Sequence, residues 1–472
     1  MPWQTLSAAL QLWMKPSKDG SAPWLRALLV LAVLILLALG TARSDAQGIA
    51  ALRYEGVASC AGSTCHGRAE GNGAVVRQDE LLHWQEPSST AGAHSRAYAA
   101  LASARGQRIA ATLGLGPAPS AMVCLGCHAT NAPPERHGAR FQLSDGVGCE
   151  SCHGAASAWL AAHYAVPATH ASNIAQGMIA LDNPQVRAGV CLDCHYGSTK
   201  PGQFVTHRMM AAGHPRISFE LDLFSALQQH HDEDADYALR KGRTDSVRLW
   251  AVGQAEAVRR SLELFARPGF AMQGVFPEFT FYDCHSCHRQ IDDNPARVST
   301  FETNPARPIP YGTPPYNDEN MILLSAVAKV IAPGQAAKFD SAARAFHAAM
   351  GAGRGEAVAA AGRLASAAAA LSAAAARGSY SADTGFTVIA TIAGRAIAPR
   401  FTDYEGSAQA VMATDTLLNA LVHQGRITVG AAAGIRANVN RAYAAVKAPN
   451  SYSAPAFRAA LGEAARSIEA LR

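Results

Sequence analysis

The chain has 472 residues, enough for about three domains of ordinary size, with 49% hydrophobic residues, only 7% aromatic residues and a formal charge of +5. No basic run accompanies that charge, which excludes nucleic-acid binding as the organising function. Ten cysteines and 17 histidines are the feature that calls for a chemical explanation.

In chain order, Lys15, Lys18 and Arg26 precede an uninterrupted apolar run from Ala27 to Leu39. Gly40 and the small-x-small site Ser44-Asp45-Ala46 follow. This is the layout of a secretory signal, with an apolar region short for a membrane span. The long polar lead keeps an uncleaved anchor as the alternative. Residues 1–46 are therefore expected to be a signal peptide or an N-terminal anchor, and the rest of the chain to be exported to the periplasm or beyond, in either case outside the cytoplasm.

The exported part opens on Cys60-Ala-Gly-Ser-Thr-Cys65-His66. Four motifs of the form Cys-x-x-Cys-His follow, at Cys124/Cys127/His128, Cys149/Cys152/His153, Cys191/Cys194/His195 and Cys284/Cys287/His288. Chance would give roughly 0.01 such matches in a chain of this composition, so four are not coincidence. The pattern is the attachment signal for c-type haem, in which two thiolates add to the porphyrin vinyl groups and the adjacent histidine takes one axial position on the iron. The first motif has four residues between its cysteines, a spacing that haem attachment tolerates. A zinc ribbon does not require a histidine after each second cysteine. The five motifs use all ten cysteines, so five covalently bound haem c groups are expected and no thiol remains for a disulfide or a nucleophile. Ten propionates reverse the charge: without residues 1–46 the chain carries +3, and the reduced holoprotein lies at roughly −7.

The fold class expected is mainly α. Residues 47–293 form a pentahaem cytochrome c domain with little regular structure around packed haems, with candidate helices at Ala97–Leu113 and Thr244–Ala266. In the second of these, Val247, Trp250, Ala251, Val258, Leu262 and Phe265 approximate one face, interrupted by Gln254. Residues 294–316 are a proline-rich linker. Residues 317–472 are an alanine-rich, all-α helical domain without cysteine, with segments near Glu319–Val330, Gln335–Met350, Glu356–Arg377, Gly385–Ile397, Gly406–His423, Thr428–Val446 and Ala454–Leu471.

Low-spin haems need a sixth ligand, and twelve histidines lie outside the proximal positions. The candidates for distal ligation are His94, His163, His170, His207 and His214. His207 and His214 are seven apart and so share a face if the segment is helical, and Pro167 breaks any single helix between His163 and His170. Met209 and Met210 are read as core, because methionine ligation is less common in haem arrays. His83 is a weaker candidate. His230 and His231 adjoin an acidic cluster from Asp232 to Asp236, which raises the pKa of a nearby histidine and suits a proton donor.

GVASCAGSTCHG, His94, VCLGCHA, DGVGCESCHG, VCLDCHYG, THRMMAAGHPR and DCHSCHR together resemble the multihaem cytochrome c family that includes the tetrahaem electron acceptors of hydroxylamine oxidation; on that resemblance the chain would be a pentahaem variant. The resemblance covers about residues 55–290 and extends in haem arrangement to hydroxylamine oxidoreductase and pentahaem nitrite reductase. It implies closely packed haems in stacked and near-perpendicular pairs, mostly bis-histidine. Cys-x-x-Cys-Lys, the catalytic motif of the nitrite reductases, is missing here, and the hydroxylamine-oxidising enzymes carry eight haems, so neither catalytic identity transfers.

The function expected is an exported pentahaem c-type cytochrome that relays single electrons between periplasmic or membrane redox partner proteins. Electron carriage is favoured over catalytic reduction, and no catalytic residue is assigned. Two other classes stay open. One is an oxidoreductase acting on a small nitrogen or sulfur compound at a five-coordinate haem, with His230, His231 or Arg216 supplying protons or charge. The other is a self-assembling subunit of an extracellular cytochrome filament.

Overall fold

The computed structural model describes residues 52–68, 77–274, 276–288, 307–310, 312–399 and 403–472. The expected signal or anchor and most of the proline-rich segment lie outside these residues. Tyr54–Arg472 forms one compact unit, and it is mainly α. The helices are α1 (Glu80–Trp84), α2 (Ala97–Leu101), α3 (Ala104–Leu113), α4 (Met122–His128), α5 (Cys149–His153), α6 (His170–Ala175), α7 (Pro184–His195), α8 (His207–Ala211), α9 (Leu221–Leu227), α10 (Ala235–Lys241), α11 (Ser246–Ala266) and α12 (Cys284–Cys287) in the front part. In the cysteine-free part they are α13 (Ile322–Ile331), α14 (Pro333–Ala349), α15 (Arg354–Arg377), α16 (Ala382–Ala396), α17 (Tyr404–His423), α18 (Val429–Ala445) and α19 (Ala454–Glu469). The strands among the described residues are a two-residue antiparallel pair, β1 (Met272–Gln273) and β2 (Phe276–Pro277).

Local chemistry sets these boundaries. Ser103 accepts from the Gly106 amide and starts α3, so the helix expected over Ala97–Leu113 is divided in two. Asp245 accepts from the Arg248 amide and starts α11, and Asn183 does the same for α7 with Pro184 at the first helical position. Each contact satisfies an amide that a helix start leaves unpaired. The seven helices expected after residue 317 are all present, displaced by a few residues at their ends.

One hydrophobic core runs from Ala188 in α7 to Ile468 in α19. α11 lies at its centre, packed along α15 and against α7, α9 and α17. Being enclosed on several sides, it is buried nearly all round: Trp250 and Leu262 are inaccessible, and so is Gln254, which pairs with Gln409 and Asn320 at 3.0 Å each. The expected single apolar face is thus one part of a wholly internal helix. α15 buries Ala357, Ala360, Ala361, Leu364, Ala367, Ala368, Leu371 and Ala375, a spacing of small side chains that permits close approach of α11. It is the one described helix long and apolar enough by composition to cross a membrane, and half of its apolar window is buried within the protein. The first hundred described residues contribute only a small cluster around Leu101, Ala110, Ala118, Leu125 and Ala129.

Candidate haem sites

Four of the five motifs form, or end, a short helix. Placing Cys, Cys and His at i, i+3 and i+4 puts two sulfurs and an imidazole on one helical face. In α4, α5 and α7 the histidine is the last helical residue, and in α12 Asp283 caps the start while His288 closes the end. The first motif follows a 3-10 turn at Val57–Ser59 and closes through turns, with the Cys65 and His66 amides bonded to the carbonyls of Gly62 and Cys60.

Every proximal histidine faces a second histidine ring. His66 lies opposite His163 with ring centroids 6.2 Å apart, His128 opposite His214 at 6.3 Å, His195 opposite His94 at 6.1 Å and His288 opposite His207 at 6.1 Å. His153 faces two rings, His230 at 6.4 Å and His231 at 6.2 Å. Two imidazoles bound on opposite sides of one metal ion are separated by two metal–nitrogen bonds of about 2 Å and two half-rings, roughly 6 Å in all. The observed spacings therefore fit an iron between each pair.

Six of the eleven rings are also oriented through Nδ1, whereas His195 Nδ1 is buried without a hydrogen-bond partner among the described residues. His128 Nδ1–H donates to Ala97 O at 2.8 Å, His163 Nδ1 to Leu160 O at 2.6 Å, His214 Nδ1 to Pro215 O at 2.8 Å and His230 Nδ1 to Gln228 O at 3.1 Å. His66 and His231 both direct Nδ1 at Glu80. This is the orientation that leaves Nε2 free for metal and fixes the tautomer. Burial holds His153 down to about 3 and His195 down to about 4, so both are neutral, the form that ligates iron. Burial also lowers His94 and His214.

Of the distal candidates, His94, His163, His207 and His214 each face a motif histidine. His170 does not; its Nε2 lies 3.0 Å from Asp182 Oδ1 on a half-exposed surface. His207 and His214 do not share a helix face. α8 ends at Ala211, Gly213 takes φ 110°, and the two histidines diverge toward different motifs. His230 and His231 stand where the fifth pairing needs a ring, a role the sequence did not reveal because the adjacent acidic residues suggested a solvated loop. Asp232 instead pairs with Arg77 at 3.0 Å. His83 pairs with Asp79 at 3.3 Å. His285 turns away from its motif, its Nδ1–H donating to Pro449 O at 2.8 Å.

The motifs also touch one another. Cys60 lies beside Cys149 and Cys127 beside Cys194, the Cys127 Sγ reaching Cys194 O at 3.9 Å and the Cys194 Sγ reaching Gly126 O at 3.8 Å, and Cys152 lies close to Cys191 and Cys194. Gln203 ties two motifs together, its Nε2 donating to Gly126 O at 3.0 Å and lying 3.5 Å from Cys194 Sγ.

Paired thiols beside histidines that face further histidines define a protein of covalent haem and redox chemistry. Residues 59–154, which contain the first three motifs, match the family model described as cytochrome c554 and c-prime. The match supports a cytochrome c family, with haem bound covalently and a haem-based redox role. The chain matches no curated protein and no solved structure.

Proposed function

We propose that the protein is an exported pentahaem cytochrome that relays single electrons between redox partner proteins. The observation that carries this is the pairing of all five motif histidines with a second histidine at 6.1–6.4 Å. Bound there, haem supplies a one-electron ferric/ferrous couple.

The chain's own residues do the rest. His66, His128, His153, His195 and His288 would hold one axial position each. His163, His214, one of His230 and His231, His94 and His207 would hold the other, in that order. Ligation by two histidines in both oxidation states keeps rearrangement on electron transfer small. Saturating each site in this way leaves no position for a substrate, which favours relay over catalysis.

Contacts among the cysteines support a spatial order different from the chain order. The first motif adjoins the third through Cys60 and Cys149, the third adjoins the fourth through Cys152, and the fourth adjoins the second through Cys194 and Cys127. The ten-residue segment from Thr206 to Pro215 then serves both the second motif, through His214, and the fifth, through His207. Cys287 and His288 are exposed, so the fifth site is the natural port for a partner. Export, periplasmic or membrane-attached residence, and donor and acceptor proteins belong to the same proposal.

Intact mass of the purified protein tests it. Five added haems are expected; fewer than four, or a reduced spectrum without an α band, contradicts the proposal.

A further inference from the structure

Glu80 is the first residue of α1 and its side chain is almost fully buried. Its two carboxylate oxygens accept from two different imidazoles. Oε2 lies 3.0 Å from His66 Nδ1, and Oε1 lies 3.1 Å from His231 Nδ1. These rings belong to different sites, since His66 is the first motif's own histidine and His231 faces His153 of the third.

The carboxylate is held in place from several directions. The Leu81 amide donates to His66 O at 2.9 Å, and Trp84 Nε1–H donates to Val147 O at 3.1 Å, two residues before the third motif. Asp79, which precedes it, is fixed by Arg77 Nε at 3.0 Å and His83 Nε2 at 3.3 Å. α1 is thus a short strut between the first and third motifs, with Glu80 at the point where both histidines converge.

A carboxylate that accepts Nδ1–H gives the imidazole imidazolate character, makes Nε2 a stronger donor, stabilises ferric over ferrous iron and lowers the potential. A backbone carbonyl, the partner of His128, His163, His214 and His230, does this more weakly, because it carries no net charge. Among the described histidine pairs, only the two that meet Glu80 have a carboxylate hydrogen-bonded to a ring.

We infer that Glu80 is a positioning residue that lowers the potentials of the first and third haems together, and that it makes His231, rather than His230, the ligand opposite His153. This rests on the pentahaem reading and goes beyond it. The two sites also adjoin through Cys60 and Cys149, so one side chain keeps a contiguous pair at matched, low potential. That suits the pair for holding electrons in transit or for taking part at the low-potential end of the relay.

The test is spectroelectrochemical titration of the full-length holoprotein and its Glu80→Gln variant, with haem content measured by intact mass. An amide retains one acceptor and carries no charge. Two of the five one-electron steps are expected to move upward, the ferrous/ferric ratio of each changing about tenfold at fixed potential, which is 59 mV for a one-electron couple. The other three stay in place. Movement of none, of one, or of all five overturns the inference. His230→Phe supplies an independent readout should the first variant load haem poorly: the five low-spin signals and five steps are expected to match the parent, and conversion of one haem to high spin assigns ligation to His230 and overturns it. A parent protein without five low-spin haems would instead overturn the pentahaem reading itself, and the two failures are distinguishable.

Discussion

Glu405, in the first turn of a cysteine-free helix, accepts a hydrogen bond at 3.2 Å from the backbone amide of Cys284, the first cysteine of the fifth motif, 121 residues earlier in the chain. The same oxygen accepts from Arg216 Nη1 at 2.6 Å, and Arg216 Nη2 reaches Glu319 Oε1 at 3.1 Å. Arg216 also contacts the Cys284 thiol. The alanine-rich helices therefore do more than cover the front of the molecule, since α17 forms one wall of the fifth site. This buried network requires its cation. Arg216→Ala leaves Glu319 and Glu405 without their cation, held only by the neutral donors Asn317, Gln409 and the Cys284 amide, and removing one partner of a buried ionic network costs about 3 kcal/mol or more. Thermal melting followed by circular dichroism is expected to show that loss, and intact mass is expected to show four haems in part of the population. Unchanged stability and full loading contradict the role given to α17.

Removing a distal ligand has a different signature. His163→Ala is expected to convert one low-spin ferric haem into a high-spin, carbon-monoxide-binding one while the remaining four keep their spectra. His170→Ala is expected to change nothing, because His170 is half exposed and, among the described residues, pairs with Asp182 rather than with a motif histidine. The reverse result in carbon monoxide titrations of the two variants reassigns the ligand of the first site.

How much of this was legible in the sequence follows from the range of each interaction. Cys-x-x-Cys-His is a local code, since one turn of helix places all three ligands, and Asp283 and Asn183 cap two of those helices from adjacent positions. The helices after residue 317 were equally readable because alanine favours helix throughout and Gly, Pro and Asn interrupt it. The pairing of ligands was not readable. His207 and His214 keep a seven-residue spacing, yet Gly213 ends the helical path between them, and only the tertiary fold sends them to different sites. His231 meets His153 and Glu80 across 78 and 151 residues of chain, and nothing in an acidic neighbourhood distinguishes a ligand from a solvated loop. Gln254 likewise interrupts an apolar face in the sequence, whereas in the fold it is a satisfied internal side chain.

Gly126, between the cysteines of the second motif, shows how tightly two motifs are joined. A Cβ there would lie 2.5 Å from the Gly202 carbonyl carbon, which is backbone and cannot swing aside. Gly126→Ala must displace the 200–203 turn and the Gln203 contacts to Gly126 and Cys194. Overpacking of this kind costs about 1–3 kcal/mol. A lower melting temperature and incomplete loading at the second or fourth motif are expected in intact mass spectra. A variant that melts and loads like the parent contradicts the close contact.

Glu220 and Asp222 give the fold a pH dependence that does not involve ionisation of a haem ligand, although Phe219 and Phe224 on either side of them pack against His195. Burial, reinforced by Asp222, pushes Glu220 up to about 8, and burial pushes Asp222 up to about 7 against a hydrogen bond from Thr416. Both folded-state values lie above the unfolded ones near 4, so between pH 4 and 8 the folded chain holds more protons. The stability they contribute is complete below pH 4 and is lost as pH rises through 7 to 8. Asp222→Asn cannot ionise. Its melting temperature relative to the parent is expected to improve steadily from pH 5 to pH 8, by on the order of 2–4 kcal/mol in unfolding free energy at the upper end. A difference that stays constant with pH contradicts the raised pKa.

The most direct test of the whole account is quantitative electron paramagnetic resonance of the fully oxidised protein, with spins integrated against protein concentration. Five histidine-paired irons predict five low-spin ferric centres per chain with no stoichiometric high-spin signal. Three or fewer low-spin centres, or one full equivalent of high-spin iron, would contradict it.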